Sequence, residues 1–167
     1  MQLNEPVPDI ALPDLTGQLH QLSDYRGRIL VVNFWSAECP WSERTDKSLM
    51  ATLNQLRDKV VVLPIASNNN ESDEMINGVM HQRGLAFVLR DAGSAVAVAW
   101  GAQTTPHAFV IDASGILRYQ GALDDVTFRK RTATRFYVEE AVEALLVGRR
   151  PALQETLPYG CAIVFEN

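Results

Sequence analysis

Ile29-Leu30-Val31-Val32-Asn33-Phe34-Trp35-Ser36-Ala37-Glu38-Cys39-Pro40-Trp41-Ser42 is the stretch that decides the fold. Its first seven residues are β-branched, aromatic and almost continuously apolar, and they follow the turn residue Gly27. A short run of this kind reads as a strand buried on both faces. Cys39-Pro40 then opens a helix reaching about Arg57, with Leu49, Leu53 and Leu56 at helical spacing. Proline suits the first helical position, where its missing N–H costs nothing. The cysteine therefore sits where a buried strand turns into a helix.

Working outward, Val60 to Ala66 reads as a second buried strand. Pro64 inside it lacks a ladder donor, so a bulge or an early end is expected there. A helix is expected from about Glu71 to Gln82, with Glu71, Asp73 and Glu74 in its first turn, where the dipole favours acids. A short strand over Ala86–Leu89 and a short helix over Ser94–Trp100 come next. His107–Asp112 and Ile116–Gln120 form a hairpin through Asp112-Ala113-Ser114-Gly115. A helix over about Thr134–Val147 ends at Gly148, and Cys161–Phe165 makes an edge strand. Ile10–Leu22 adds an N-terminal hairpin around Thr16-Gly17. Strands joined by helices need right-handed crossovers, which gives an α/β sandwich with a mixed central sheet. Residues 1–150 read as one domain, and residues 151–167 as a tail packed on it.

The 167 residues bear a net charge of −5, and 47% are hydrophobic, the composition of an ordinary globular protein. Without a basic excess, general nucleic-acid binding is not expected. No apolar run approaches the ~20 residues of a membrane-spanning helix. Met1 to Asp9 carries Glu5, two prolines and no basic residue, so it does not read as a secretory signal. Two cysteines are too few for a disulfide scaffold. The expected setting is cytoplasmic and reducing, unless a leader precedes this stretch.

Amide groups and the helix dipole at Cys39 stabilise a thiolate by ~0.3–1 kcal/mol. Glu38 opposes this by like-charge repulsion. The expectation is a moderately activated thiol, set against the plainer reading of a buried and inert cysteine.

The run Val32 to Ser42 resembles the active-site stretch of thioredoxin-fold redoxins, where a strand ending Asn/Asp-Phe-Trp leads to Cys-x-x-Cys at a helix start. Thr105-Pro106 resembles the family's cis-proline loop, and Asp112 to Gly115 followed by Tyr119-Gln120-Gly121 resembles the hairpin beyond it. The insertion between the second buried strand and that loop is similar to the TlpA/ResA and AhpC/TSA branch. The tail from Thr156 to Ile163, with Gly160-Cys161, resembles a C-terminal motif of redoxin-domain proteins in that branch. The resemblance implies a thioredoxin-like three-layer sandwich with an N-terminal hairpin and a central helical insertion. It also implies a catalytic set of Cys39, Ser42, Thr105 and Pro106. Trp35, Glu38, Pro40, Trp41 and Thr104 are then the residues facing a substrate. Protein or low-molecular-weight thiols and disulfides are the implied partners.

This chain departs from the pattern at Ser42, which makes the motif Cys-x-x-Ser. A serine hydroxyl cannot resolve a mixed disulfide. The expected activity is therefore a monothiol redoxin, in which Cys39 acts alone and an external thiol releases it. Two other readings stand beside it. One is a thiol peroxidase, for which Ser36 fits the hydroxyl position but Val32 stands where that motif has proline, and Arg44 is the only nearby arginine. The other is a non-catalytic thioredoxin-fold binding module. Cys161 is a candidate second thiol, but no Cys39–Cys161 bond is expected, because nothing in the tail dictates docking. His107 is read either as a base for Cys39 or as a buried strand residue. Trp100 is read as core in preference to groove. Arg129-Lys130-Arg131 is read as a solvated loop. His20 and His81 have no metal-ligand spacing, and neither metal nor cofactor is expected. Nothing in the sequence sets the oligomeric state.

Overall fold

The computed structural model describes residues 1–165. Its central sheet has five strands in the order β5-β4-β3-β7-β8. These are β3 (Ile29–Trp35), β4 (Val60–Ala66), β5 (Leu89–Arg90), β7 (His107–Ile111) and β8 (Leu117–Gly121). β3 runs parallel to β4 and antiparallel to β7, so the sheet is mixed. β1 (Ala11–Pro13) and β2 (Leu19–Gln21) form the N-terminal hairpin.

Alternation along β3 explains why its whole run is apolar. Leu30, Val32 and Phe34 enter one core with Trp100, Phe109 and Ile111. Ile29 and Val31 enter the opposite core with Leu49, Leu53, Val138 and Val142. Helices α1 (Pro40–Leu53) and α4 (Tyr137–Leu146) cover that second face, while α3 (Ala95–Trp100) helps cover the first. Trp35 joins a third cluster with Ile76 and Met80 of α2 (Asp73–Gln82). This is a thioredoxin-like α/β sandwich.

Three local expectations change. β4 continues through Pro64 in regular register with Asn33. On the β5 side pairing starts only at Ile65, so β4 is an edge at Pro64, where a sheet tolerates proline. α2 starts at Asp73 with Ser72 as its N-cap, whose side chain accepts from the Met75 amide. Glu71 therefore lies outside the helix, and it is 1% exposed. Finally, β9 (Cys161–Ala162) is no edge of the main sheet. It pairs antiparallel with β6 (Thr104–Thr105), just before Pro106.

Candidate active site

Cys39 is the N-cap of α1, with Pro40 at the next position, and it is 2% exposed. Side chains from distant elements hold the loop that carries it. The Cys39 amide donates to Ser36 Oγ at 3.1 Å. The Ser36 hydroxyl donates to Glu71 Oε1 at 2.5 Å, and the Glu38 amide donates to the same oxygen at 3.1 Å. Arg83 donates to the carbonyls of Ser36 and Ala37 at 3.2 and 2.6 Å. It also pairs with Asp46, which accepts the Trp35 indole N–H at 2.8 Å. Burial pushes the Asp46 carboxyl upward, while Trp35 and Arg83 pull it back.

The Thr105–Pro106 peptide is cis, and the Thr105 carbonyl oxygen lies 3.0 Å from Cys39 Sγ. Thr105 is buried, and its hydroxyl oxygen has no hydrogen-bond partner among the described residues. Thr104 turns its own hydroxyl to the Pro106 carbonyl. Ser42 is fully buried, and its Oγ accepts from the Ser36 amide at 3.3 Å. Trp35 is likewise buried, beneath the Arg83 guanidinium. Glu38 and Pro40 face solvent, with Asn70 donating to the Glu38 carboxylate. Trp41 is half-buried.

The expectation of no Cys39–Cys161 bond is overturned. Cys39 and Cys161 are disulfide-bonded, with Cα atoms 6.2 Å apart, inside the ~7 Å reach of such a bridge. Three contacts made only by the folded chain steer the tail. Thr156 Oγ1 accepts the Ala122 amide and meets the Tyr119 hydroxyl, while the Thr156 backbone lies against Gly121. Tyr159 stacks edge-on with Trp41 at 5.1 Å and accepts the Phe128 amide at 2.8 Å. Gly160 passes so close to Thr105 that an added Cβ would strike that residue's carbonyl oxygen. Beyond the bridge, the Ile163 amide donates to Gln103 and the Val164 amide to Asn68.

The remaining candidates lie apart from the sulfur chemistry. His107 is buried in β7, stacked on Phe109, and its Nδ1 accepts the Gln103 amide. Burial pushes its pKa down to about 4, so it is neutral near pH 7. Trp100 packs in the core against Phe34 and Phe109. Arg44 is bound through both terminal nitrogens to Asp124. His20 is held between Tyr25 and Asp14, and His81 by the Asn77 carbonyl. Lys130 is paired with Asp125. Among the described residues, no group of three metal-ligating side chains comes together.

Sequence reasoning missed Glu71, Asp46, Arg83 and the aromatic clasp of Trp41, Phe128 and Tyr159. Glu71 looked like an ordinary acidic helix start, and only the displaced N-cap turns it inward. The pairing of Gly160 with Cys161 was the one readable sign that a backbone passes close to the site.

The comparisons with known proteins agree with this architecture. Thiol-disulfide oxidoreductase ResA of Geobacillus thermodenitrificans is 34% identical over 109 residues, which is 65% of this chain and 62% of that protein. The chain thus covers less than two thirds of the length of that curated relative. The crystal structure of a hypothetical protein from Sinorhizobium meliloti 1021 superposes with a TM-score of 0.89 at 28% identity, covering 99% of this chain and 96% of the other. The thioredoxin domain of a thiol-disulfide oxidoreductase from Bacteroides vulgatus matches with a TM-score of 0.62 at 20% identity, covering 72% of this chain and 88% of that one. The profile of the AhpC/TSA family matches residues 3–120. That span runs from the N-terminal segment through the β7–β8 hairpin and takes in Cys39 and Pro106, and the chain belongs to the AhpC/TSA family.

Proposed function

We propose that this protein is a two-cysteine thiol–disulfide oxidoreductase, with Cys39 as nucleophile and Cys161 as the resolving thiol. The observation that carries the reading is the Cys39–Cys161 bond, which joins a helix N-cap to a tail strand laid against β6. The ResA relatives, named as thiol-disulfide oxidoreductases, support the same chemistry.

Reduction starts at the more accessible sulfur. Cys161 is half-buried whereas Cys39 is buried, so an external thiolate attacks Cys161 Sγ. The S–S bond breaks and Cys39 leaves as a thiolate at the helix N-terminus, the better leaving group. A second external thiol frees Cys161. In the forward direction the Cys39 thiolate attacks a partner disulfide, and one partner sulfur leaves as a thiolate. Cys161 gives up its proton to solvent and attacks Cys39 Sγ, which releases the second partner sulfur. One partner disulfide becomes two thiols, and the two thiols of this chain become one disulfide.

A peroxidase has less support, because Arg44 is committed to Asp124. The plainest competitor is a structural bridge in a binding module. Stopped exchange with a small aromatic disulfide separates these readings. The reduced protein is expected to consume one disulfide per chain and to yield a linked 39–161 peptide. Cys161→Ser is expected to stop with the small thiol still attached to Cys39. A bridge that dithiothreitol leaves intact in the native protein would overturn the proposal.

A further inference from the structure

We infer that the partner of this site presents its cysteine on an extended segment with glycine immediately before it, in the register that the tail now occupies. The inference rests on the oxidoreductase reading above and names the class of protein substrate for the same site.

The tail is a cysteine-bearing strand seated at the reactive sulfur, so it shows the shape of an occupant. Cys161 pairs with Thr105 and Ala162 with Thr104. The Ile163 amide reaches Gln103 at 3.1 Å, which continues the ladder by one more residue. These are backbone bonds, which any extended segment can make and which carry no sequence preference. Selection comes from the side-chain positions. At Gly160 an added Cβ would collide with the Thr105 carbonyl oxygen, lie 2.7 Å from the Thr105 carbonyl carbon and 3.0 Å from Pro106 Cδ. Those atoms belong to a backbone and a proline ring, with no flexible end to swing away. Two residues before the cysteine, Tyr159 fills the angle between Trp41 and Phe128. Two residues after it, Ile163 is 6% exposed in the main core. Ala162, directly after the cysteine, faces solvent and selects nothing. The groove therefore favours aromatic-Gly-Cys-any-apolar, and glycine is the strictest position.

Tail and partner cannot occupy β6 together. The partner's glycine-cysteine step enters after the tail has left, Cys39 attacks the partner sulfur, and the returning tail displaces it. No atom is left over: the partner's other sulfur departs as a thiolate, and the resolving step follows as above.

The test uses the reduced Cys161→Ser protein and two synthetic peptides, each with its cysteine capped as a mixed disulfide with nitrothiobenzoate. One peptide has the sequence Pro-Tyr-Gly-Cys-Ala-Ile-Val, and the other replaces its glycine with alanine. Release of the coloured thiol reports attack by Cys39. The overpacked alanine peptide is expected to react about tenfold more slowly or worse. Equal rates for the two peptides, with Cys39 reacting normally toward the symmetrical aromatic disulfide reagent, would overturn this inference and leave the oxidoreductase reading standing. A Cys39 that reacts with neither peptide nor reagent overturns both.

Discussion

The loop around Cys39 and the tail around Cys161 meet at one bond but are built in opposite ways. Side chains from three places hold the loop: buried Glu71 before α2, half-buried Arg83 after it and buried Asp46 within α1. None of those contacts depends on the sulfur's oxidation state. Backbone pairing, two close glycine contacts, an aromatic clasp and the disulfide itself hold the tail. Several tail side chains stand in solvent, with Leu157 90% exposed and Val164 45% exposed. A firmly braced cysteine is thus joined to a tail that buries few side chains, and segments with few buried contacts are where local opening concentrates.

The largest expected effect tests whether the bridge ties down the tail alone or the whole chain. Its two cysteines are 122 residues apart. In the chain-entropy account, closing a loop of that size restricts the unfolded state by about 4–5 kcal/mol. Cys161→Ser should lower the unfolding free energy by up to that amount relative to the oxidised protein, and should match the reduced wild type closely. Urea midpoints with their slopes decide it. A loss under about 1 kcal/mol would mean that the unfolded chain is already compact between the two sites, and the contrast with the loop would weaken.

The loop is tested next, at Asp46. Removing this carboxylate leaves Arg83 unpaired, with its side chain 11% exposed, and the Trp35 indole N–H without its acceptor. Breaking a buried pair from one side costs about 3–5 kcal/mol. Asp46→Ala should fall near the lower figure, and Asp46→Asn, which keeps an acceptor for Trp35, should lose less. Both variants should keep the Cys39–Cys161 bond, because among the described residues no tail side chain or amide bonds to Asp46, Arg83 or the Trp35 indole. An Asp46→Ala protein as stable as wild type would show that the loop is no more firmly held than the tail.

The same contrast explains what the sequence disclosed. Strand β3 was legible because its residues alternate between two cores, and each side must be apolar. The Cys39-Pro40 helix start was legible because proline at that place is a local rule. The tail was not, because its docking depends on Gly121, Trp41 and Phe128, which lie 31 to 118 residues from the tail residues they meet. Cys161 alone gave only a small residue between Gly160 and Ala162. Glu71 escaped for a similar reason: its acidic neighbours suit a helix start, and only the fold reveals that Ser72 takes the cap and turns Glu71 toward Ser36. Ser42, read as a stand-in for a second thiol, is a brace for the Ser36 amide. The second cysteine lies in the tail, bonded to Cys39.

The smallest expected effect lies where loop and tail share a floor. His107 follows Pro106 and lines a cavity with Gln103, Gln120, Glu155 and Pro158, so it sits beneath the tail. Burial holds its pKa near 4, against about 6.5 in an unfolded chain. Between those values the unfolded state binds the proton and the folded state does not, so protonation favours unfolding. Stability from this residue is fully present above about pH 6.5. It declines as the pH falls toward 4, reaching a loss of about 3 kcal/mol there and under 1 kcal/mol near pH 6. His107→Gln removes the titration, and carboxylates elsewhere act on both proteins alike. The difference between wild-type and variant unfolding free energies, plotted against pH, should therefore be flat above pH 6.5 and shift against wild type below it. Running the comparison on reduced protein sharpens it. If the tail lifts from β6 when the bridge opens, water reaches the ring and the curve should flatten. An identical slope in both redox states would show that the tail stays seated without its disulfide, and the picture of a releasable segment would fail at its most direct point.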